Sequence, residues 1–287
     1  MKRKLIAGMM IVAMTTTLAP LPVLANESAV TASATVTAAS GSAVRTENSV
    51  AKVGDLYYDT LADAFSAILT EGTVELLADV TLNKKISIQN SQNVTLDLGT
   101  YTIDTPDGFR DDSLFCVRGS LTVQGNGTVN GASEETGGPT YAITVEKGGS
   151  FTIYSGTVVG KERGINVVKG SAIIAGGQIS NSGTAVHSSA VYVGPDSTVQ
   201  ISGNTKISGV DNAALAEGGS LTLSENVTLS GPSGVILFNS SDNEESAKHA
   251  TFTMNGGSVT ATSRFALAGN NLKSAGCNAT ITGGSLQ

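Results

Sequence analysis

Arg118-Gly119-Ser120-Leu121-Thr122-Val123 is the stretch on which the fold turns. A glycine turn leads into a small hydroxyl residue, and apolar residues then alternate with a polar one. The figure returns as Gly148-Gly149-Ser150-Phe151-Thr152-Ile153, as Lys169-Gly170-Ser171-Ala172-Ile173-Ile174 and as Gly218-Gly219-Ser220-Leu221-Thr222-Leu223. Gly194-Pro195-Asp196-Ser197-Thr198-Val199-Gln200-Ile201 is a variant of it. Thr251-Phe252-Thr253-Met254 and Ala279-Thr280-Ile281 continue it with degenerate turns. The serines at 120, 150, 171, 197 and 220 stand 30, 21, 26 and 23 residues apart.

Working outward, a second short strand follows each copy, as in Gly127-Thr128-Val129, Gly156-Thr157-Val158 and Val227-Thr228-Leu229. A third precedes the next turn, as in Tyr141–Val145, Ala190–Val193, Val235–Phe238 and Phe265–Leu267. Three strands per 21–30 residues is the period of a parallel β-helix coil. Period-2 alternation places Leu121, Val123, Phe151, Ile153, Val199, Ile201, Leu221, Leu223, Phe252 and Met254 inside. No single coil can bury its own apolar face, so stability is shared along the stack. A leucine-rich repeat would need a Leu/Asn consensus and a helix per repeat. An antiparallel sandwich would show hairpin turns rather than one three-strand order returning. The expected fold class is all-β: a right-handed parallel β-helix, three strands per coil, about eight coils, with an N-terminal amphipathic capping helix.

That helix is read at residues 60–71. Leu61, Ala64, Phe65, Ile68 and Leu69 follow a helical period, Thr60 with Asp63 makes a capping box, and Gly72 supplies the C-terminal stop. Laid across the open apolar end of the first coil, it protects the edge strands there. Residues 51–72 form the cap and residues 51–287 the β-helix domain. The preceding residues 26–50, rich in Ala, Ser and Thr, read as a flexible leader.

Residues 1–25 carry Lys2, Arg3 and Lys4, a short apolar run from Leu5 to Met14, and Val23-Leu24-Ala25. This is the pattern of a secretory signal peptide cleaved after Ala25. The apolar run is short for a membrane span. The formal charge is −7, and removal of the three cations takes it to −10, which argues against nucleic acid or anionic membrane as partners. The expected localisation is extracellular, secreted or at the cell surface. Cys116 and Cys277 lie about six coils apart, roughly 30 Å at the usual strand spacing, too far for a disulfide. Cys116, between Phe115 and Val117, reads as a small core residue.

The chain offers few groups for chemistry. A β-helix hydrolase needs carboxylates from neighbouring coils on one face, and a lyase needs calcium-holding acids with a base. Asp111-Asp112 reads as a solvated turn. Lys161-Glu162-Arg163 reads as a charged turn, with an ionic groove for an acidic sugar as the alternative. Asp242-Asn243-Glu244-Glu245 reads as exposed charge and offers at most weak calcium binding. His187 and His249 have no metal-site spacing and read as surface residues. Thr122, Thr152, Thr198 and Thr222 point outward, but single threonines on unequal coils are not expected to form an ice-binding lattice. No catalytic, cofactor-binding or metal-binding residue is assigned.

Ala51–Tyr58, the helix, Val74–Leu82 and Val94–Ile103 together resemble the cap and first coils of pectin-lyase-like right-handed parallel β-helix proteins. Those proteins are exported by Gram-positive, often gut-dwelling, bacteria. The resemblance covers residues 51–287. It implies a surface module, adhesin-like or glycan-binding, with an extracellular glycan or host surface as partner. Its alternative implication is a polysaccharide lyase or glycoside hydrolase acting on acidic polysaccharide. Gly283-Gly284-Ser285-Leu286 stands midway through a coil, so the chain reads as the first part of a longer surface protein. Protein collected from the medium is expected to begin at Asn26 on N-terminal sequencing; a species retaining Met1 would refute cleavage.

Overall fold

The computed structural model describes residues 41–287, apart from 107, 132–140, 242–246 and 270–275. The expected signal peptide and most of the expected leader lie outside the described residues. The described chain is a right-handed parallel β-helix. Its coils carry three strands each, forming three faces. Eight full coils are present, followed by the first two strands of a ninth, Asn278–Leu286.

The expected inside residues are inside. One column runs Val94, Leu121, Phe151, Ala172, Val199, Leu221, Phe252 on the first face. All seven are at most 2% exposed. Phe151 sits directly below Ala172, so a large ring is accommodated by a small neighbour and the column stays close-packed. Ile103, Val129, Val158, Ile179, Ile207, Leu229 and Val259 make the matching column on the second face.

The turn before the first face explains the recurring glycines. Gly148, Lys169, Asp196 and Gly218 occupy one structural position with φ between 57° and 81°. That left-handed conformation favours glycine and is tolerated by the two polar residues here. At the next position Gly149 has no room for a Cβ, which would stand 2.2 Å from the Val117 carbonyl oxygen of the coil below. Ser197 holds this place in the variant turn. Its hydroxyl accepts the Lys169 N–H at 2.8 Å and donates to the Val167 carbonyl at 3.1 Å. Thr198, not Ser197, is therefore the register partner of Ser171 and Ser220, and the two spacings are 27 and 22 residues.

The cap differs from expectation in three ways. The helix is Leu61–Ala67, shorter than 60–71. Thr60 is its N-cap and accepts the Asp63 N–H at 3.1 Å, while the Asp63 carboxylate accepts the Thr60 hydroxyl instead of closing a reciprocal box. Ile68 is extended, and Gly72 lies in the strand Glu71–Leu76, whose ladder with Asn93–Asp97 begins at Glu71. Inter-strand pairing thus takes the last expected helical turn, and Leu69 is left 80% exposed. Leu61, Ala64 and Phe65 are buried, with the Phe65 ring 5.7 Å from that of Phe115 at the end of the core.

A hairpin completes the cap. Ala51–Val53 pairs antiparallel with Leu56–Tyr58 and with Glu71–Leu76, so it occupies an edge of the first coil. Packing begins upstream of residue 51, because Ser42 bridges Tyr57 and Ser49 is buried.

Phe151→Ala should destabilise the fold by about 3–5 kcal/mol and Thr152→Ala, on the opposite side of the same strand, by less than about 1 kcal/mol. Urea unfolding followed by circular dichroism measures both; equal losses would contradict the inside–outside assignment.

Candidate functional site

The third face is unlike the other two. Strands such as Ser113–Val117, Ser189–Val193 and Ser233–Phe238 are buried along their whole length. Phe115, Val117, Ile143, Val145, Ile165, Val167, Val191 and Val193 belong to the core. The residues between them, by the alternation of a strand, face outward. In register they form the column Ser87, Cys116, Thr144, Asn166, Tyr192, Leu215, Ile236, Ala268. Eight strands span roughly 34 Å at the usual strand spacing.

The column changes character along its length. At its first end, Lys85 is held by Asp111-Asp112: its backbone N–H donates to Asp111 Oδ2 at 2.8 Å and its Nζ to Asp112 Oδ1 at 3.1 Å. This exposed turn is a clasp for Lys85 rather than simply solvated. Arg118 Nε donates to Glu146 Oε2 at 2.6 Å. That hydrogen bond, working against partial burial, holds the Glu146 carboxyl below its ordinary range. Cys116 is buried, as expected, but it faces outward onto this ionic group and not into the core. Desolvation, with a hydrogen bond to Glu146, pushes its thiol up to about 11. Such a thiol is neutral at physiological pH and a poor nucleophile.

In the middle stands an aromatic–cationic group. The Arg163 guanidinium lies 3.6 Å over the Tyr192 ring and 5.1 Å from the Tyr141 ring centre. Its Nη1 donates to Asn166 Oδ1 at 2.6 Å. The Tyr192 hydroxyl donates to Glu217 Oε2 at 2.8 Å, and burial together with that bond raises its pKa. The charged turn read at Lys161-Glu162-Arg163 thus sends its arginine onto this face.

The far end is apolar. Tyr192, Leu215, Ile236 and Phe238 form a cluster separate from the core. Beside it opens a cleft of about 360 Å³ lined by Val186, His187, Asp211, Ile236, Phe238 and Phe265, among others. Val186 and Phe265 are 82% and 63% exposed. Phe265, expected in the third-face strand, lies just before it on the rim, because the strand is Leu267–Gly269. His187 meets Phe238 edge-on at 5.5 Å between ring centres, and its backbone N–H donates to Asp211 Oδ2 at 3.0 Å. Asp211 also takes Arg264 in an ion pair. A further cleft of about 400 Å³ lies where the cap meets the first coil. Its Asp79 is engaged by the Thr102 N–H at 2.7 Å, a structural role.

His249 lies at the surface with its Nδ1 2.9 Å from Asn239 Oδ1. Asp242-Asn243-Glu244-Glu245 lies outside the described residues. No group of three His, Cys, Asp or Glu able to hold a metal occurs among the described residues. No described helix is long and apolar enough to cross a membrane. The outward threonines form a broken row and no two-dimensional lattice, the unequal coil lengths being absorbed in the turns. Thr95, Thr122, Thr152, Thr222, Thr253 and Thr280 share one column, but Ile173 and Gln200 interrupt it, and Thr198 belongs to the neighbouring column.

No protein-family model matches the chain, and no similarity to a curated protein or to a solved structure was found.

Both cysteines are free. A thiol-specific disulfide reagent applied to native protein near neutral pH should label Cys277, which is partly exposed, well before Cys116, and unfolded protein should show two thiols without reduction. Rapid labelling of Cys116 would contradict its burial and raised pKa.

Proposed function

We propose that this chain is an exported, non-catalytic β-helix scaffold, secreted or displayed at the cell surface, that binds glycan along its third face. The observation that carries the reading is the continuous outward column from Cys116 to Ala268. It places apolar and aromatic surface (Tyr192, Leu215, Ile236, Phe238) next to planar hydrogen-bonding groups (Asn166, Arg163, Asp211, Arg264). A sugar ring presents that same mixture: C–H faces that pack on apolar surface, and hydroxyls that pair with planar donors and acceptors. A rigid stack supplies such a surface with its geometry already set, which reduces the entropy lost on binding.

Support for a binding rather than a catalytic role comes from the carboxylates of this face. Asp112 is engaged by Lys85, Glu146 by Arg118, Glu217 by Tyr192 and Asp211 by Arg264. An acid held below its ordinary pKa by a cation, as Glu146 is, makes a weak proton donor. Glycoside cleavage needs one carboxyl kept protonated opposite another kept charged.

A glycan array probed with the wild-type protein should return hits for extended oligosaccharides. Phe238→Ala should weaken them by roughly tenfold or more, as truncation of a central contact does. Thr222→Ala, on the first face, should leave them unchanged. An array without hits would defeat the reading. So would reducing ends or unsaturated uronate products appearing in a polysaccharide panel incubated with the protein.

A further inference from the structure

We propose that Arg163 is an anion-recognising centre within this face, taking the carboxylate or sulfate of an acidic sugar. The inference rests on the glycan-binding reading and names the ligand's charge.

The first observation is an unbalanced cation. Three other basic side chains along the face have carboxylate partners: Lys85 with Asp112, Arg118 with Glu146 and Arg264 with Asp211. Arg163 has none among the described residues. Its contacts are Asn166 and the faces of Tyr141 and Tyr192. Ring faces attract a cation but do not neutralise it. A half-buried guanidinium without a counter-ion carries a desolvation penalty that an incoming anion relieves. The Asn166 bond uses one Nη, and the planar fork retains donors suited to carboxylate or sulfate. Glu217, the nearby acid, is directed at the Tyr192 hydroxyl.

The second observation is independent of charge. Thr144 Oγ1 and Ser189 Oγ are buried and have no hydrogen-bond partner among the described residues. Their residues are 7% and 0% exposed. Thr144 is the register partner of Asn166, on the coil below Arg163. Ser189 is the register partner of Arg163 itself, on the coil above. Thr144 lies between core-facing Ile143 and Val145, so it points to the outer face. Ser189 shares its register position with Asn212 and Ser233, which line the neighbouring cleft. Buried hydroxyls are almost always paired. Thr144 Oγ1, outward-facing on the coil below Arg163, is a donor without an acceptor among the described residues, and an anion's oxygens supply it; Ser189, with the parity of core-facing Val191 and Val193, adds an unpaired hydroxyl at the register position of Arg163 on the coil above.

The test is nitrogen-15 NMR of the Arg163 Nε–H in the full chain, titrated with glucuronate, with glucose 6-sulfate and with glucose. Saturable shifts with at least one of the two anions, and none with glucose, are expected; the anion that acts assigns carboxylate or sulfate. Arg163→Gln should weaken acidic oligosaccharides at least about tenfold, as loss of a charged hydrogen bond does, and weaken neutral ones by a clearly smaller factor. Thr144→Val, which keeps shape and removes the unpaired hydroxyl, should weaken acidic ligands without lowering the thermal midpoint. An Arg163 signal unmoved by both anions overturns the inference, as does equal loss of acidic and neutral ligands in Arg163→Gln. If neutral glycans still bind in that event, the glycan-binding face survives without its anion centre. Anions that move Arg163 in a protein that retains no glycan would leave the anion site standing and defeat the scaffold reading.

Discussion

The parallel hydrogen-bond ladder between successive coils governs the rest of this molecule. Outside the antiparallel cap and the register shifts around Asn255 in the last pairing, the strands pair residue for residue with those one coil below, so inward positions fall on inward positions and outward ones on outward ones. A slip of one residue would turn a whole apolar column into solvent. The turns must therefore return each chain segment to register whatever their length. The left-handed position shared by Gly148, Lys169, Asp196 and Gly218 is one device that does so. The glycines pressed against the coil below, such as Gly149 and Gly119, are another.

Given that ladder, function depends on what the outward columns contain. The first face shows water mainly Ser and Thr side chains with other polar residues among them, which suits strands whose inner side already carries the core. The third face carries a second hydrophobic cluster, a stacked arginine and buried asparagine, threonine and serine. Stability alone does not call for burial on both sides of a strand in a solenoid that encloses its core. The departure is confined to one face and extends over adjacent coils, which is how a surface for an extended ligand is made from a repeat.

Much of the fold was legible in the sequence because its signals are local. The alternation Leu121-Thr122-Val123 and the turn before it lie within a few residues, and so does the Thr60 cap. What failed to read locally was decided by pairing. Leu69 fits a helical period, yet the ladder starting at Glu71 claims the segment first. Cys116 sits between two core residues in the chain, and for that reason faces the other way. The site was less legible still. Arg163 could be seen as part of a charged turn, but Tyr141 and Tyr192, 22 residues before it and 29 after it, meet it only once the register is known.

Rigidity ties these levels together. Thr144, Arg163 and Tyr192 come from three successive coils, and their spacing is set by backbone pairing and not by flexible loops. An arginine on a loop could swing to a carboxylate and cancel its charge. Here the guanidinium is held between two rings and an asparagine, while Glu217 is occupied by a tyrosine hydroxyl. Two hydroxyls without partners persist nearby because the ladder around them is satisfied and fixes their positions. Unpaired polar groups of this kind oppose folding by about 1–3 kcal/mol each, a load that a cooperative stack of eight coils can carry and an isolated coil could not. The solenoid's shared stability is thus what permits a locally unfavourable, preorganised cluster to exist on its surface.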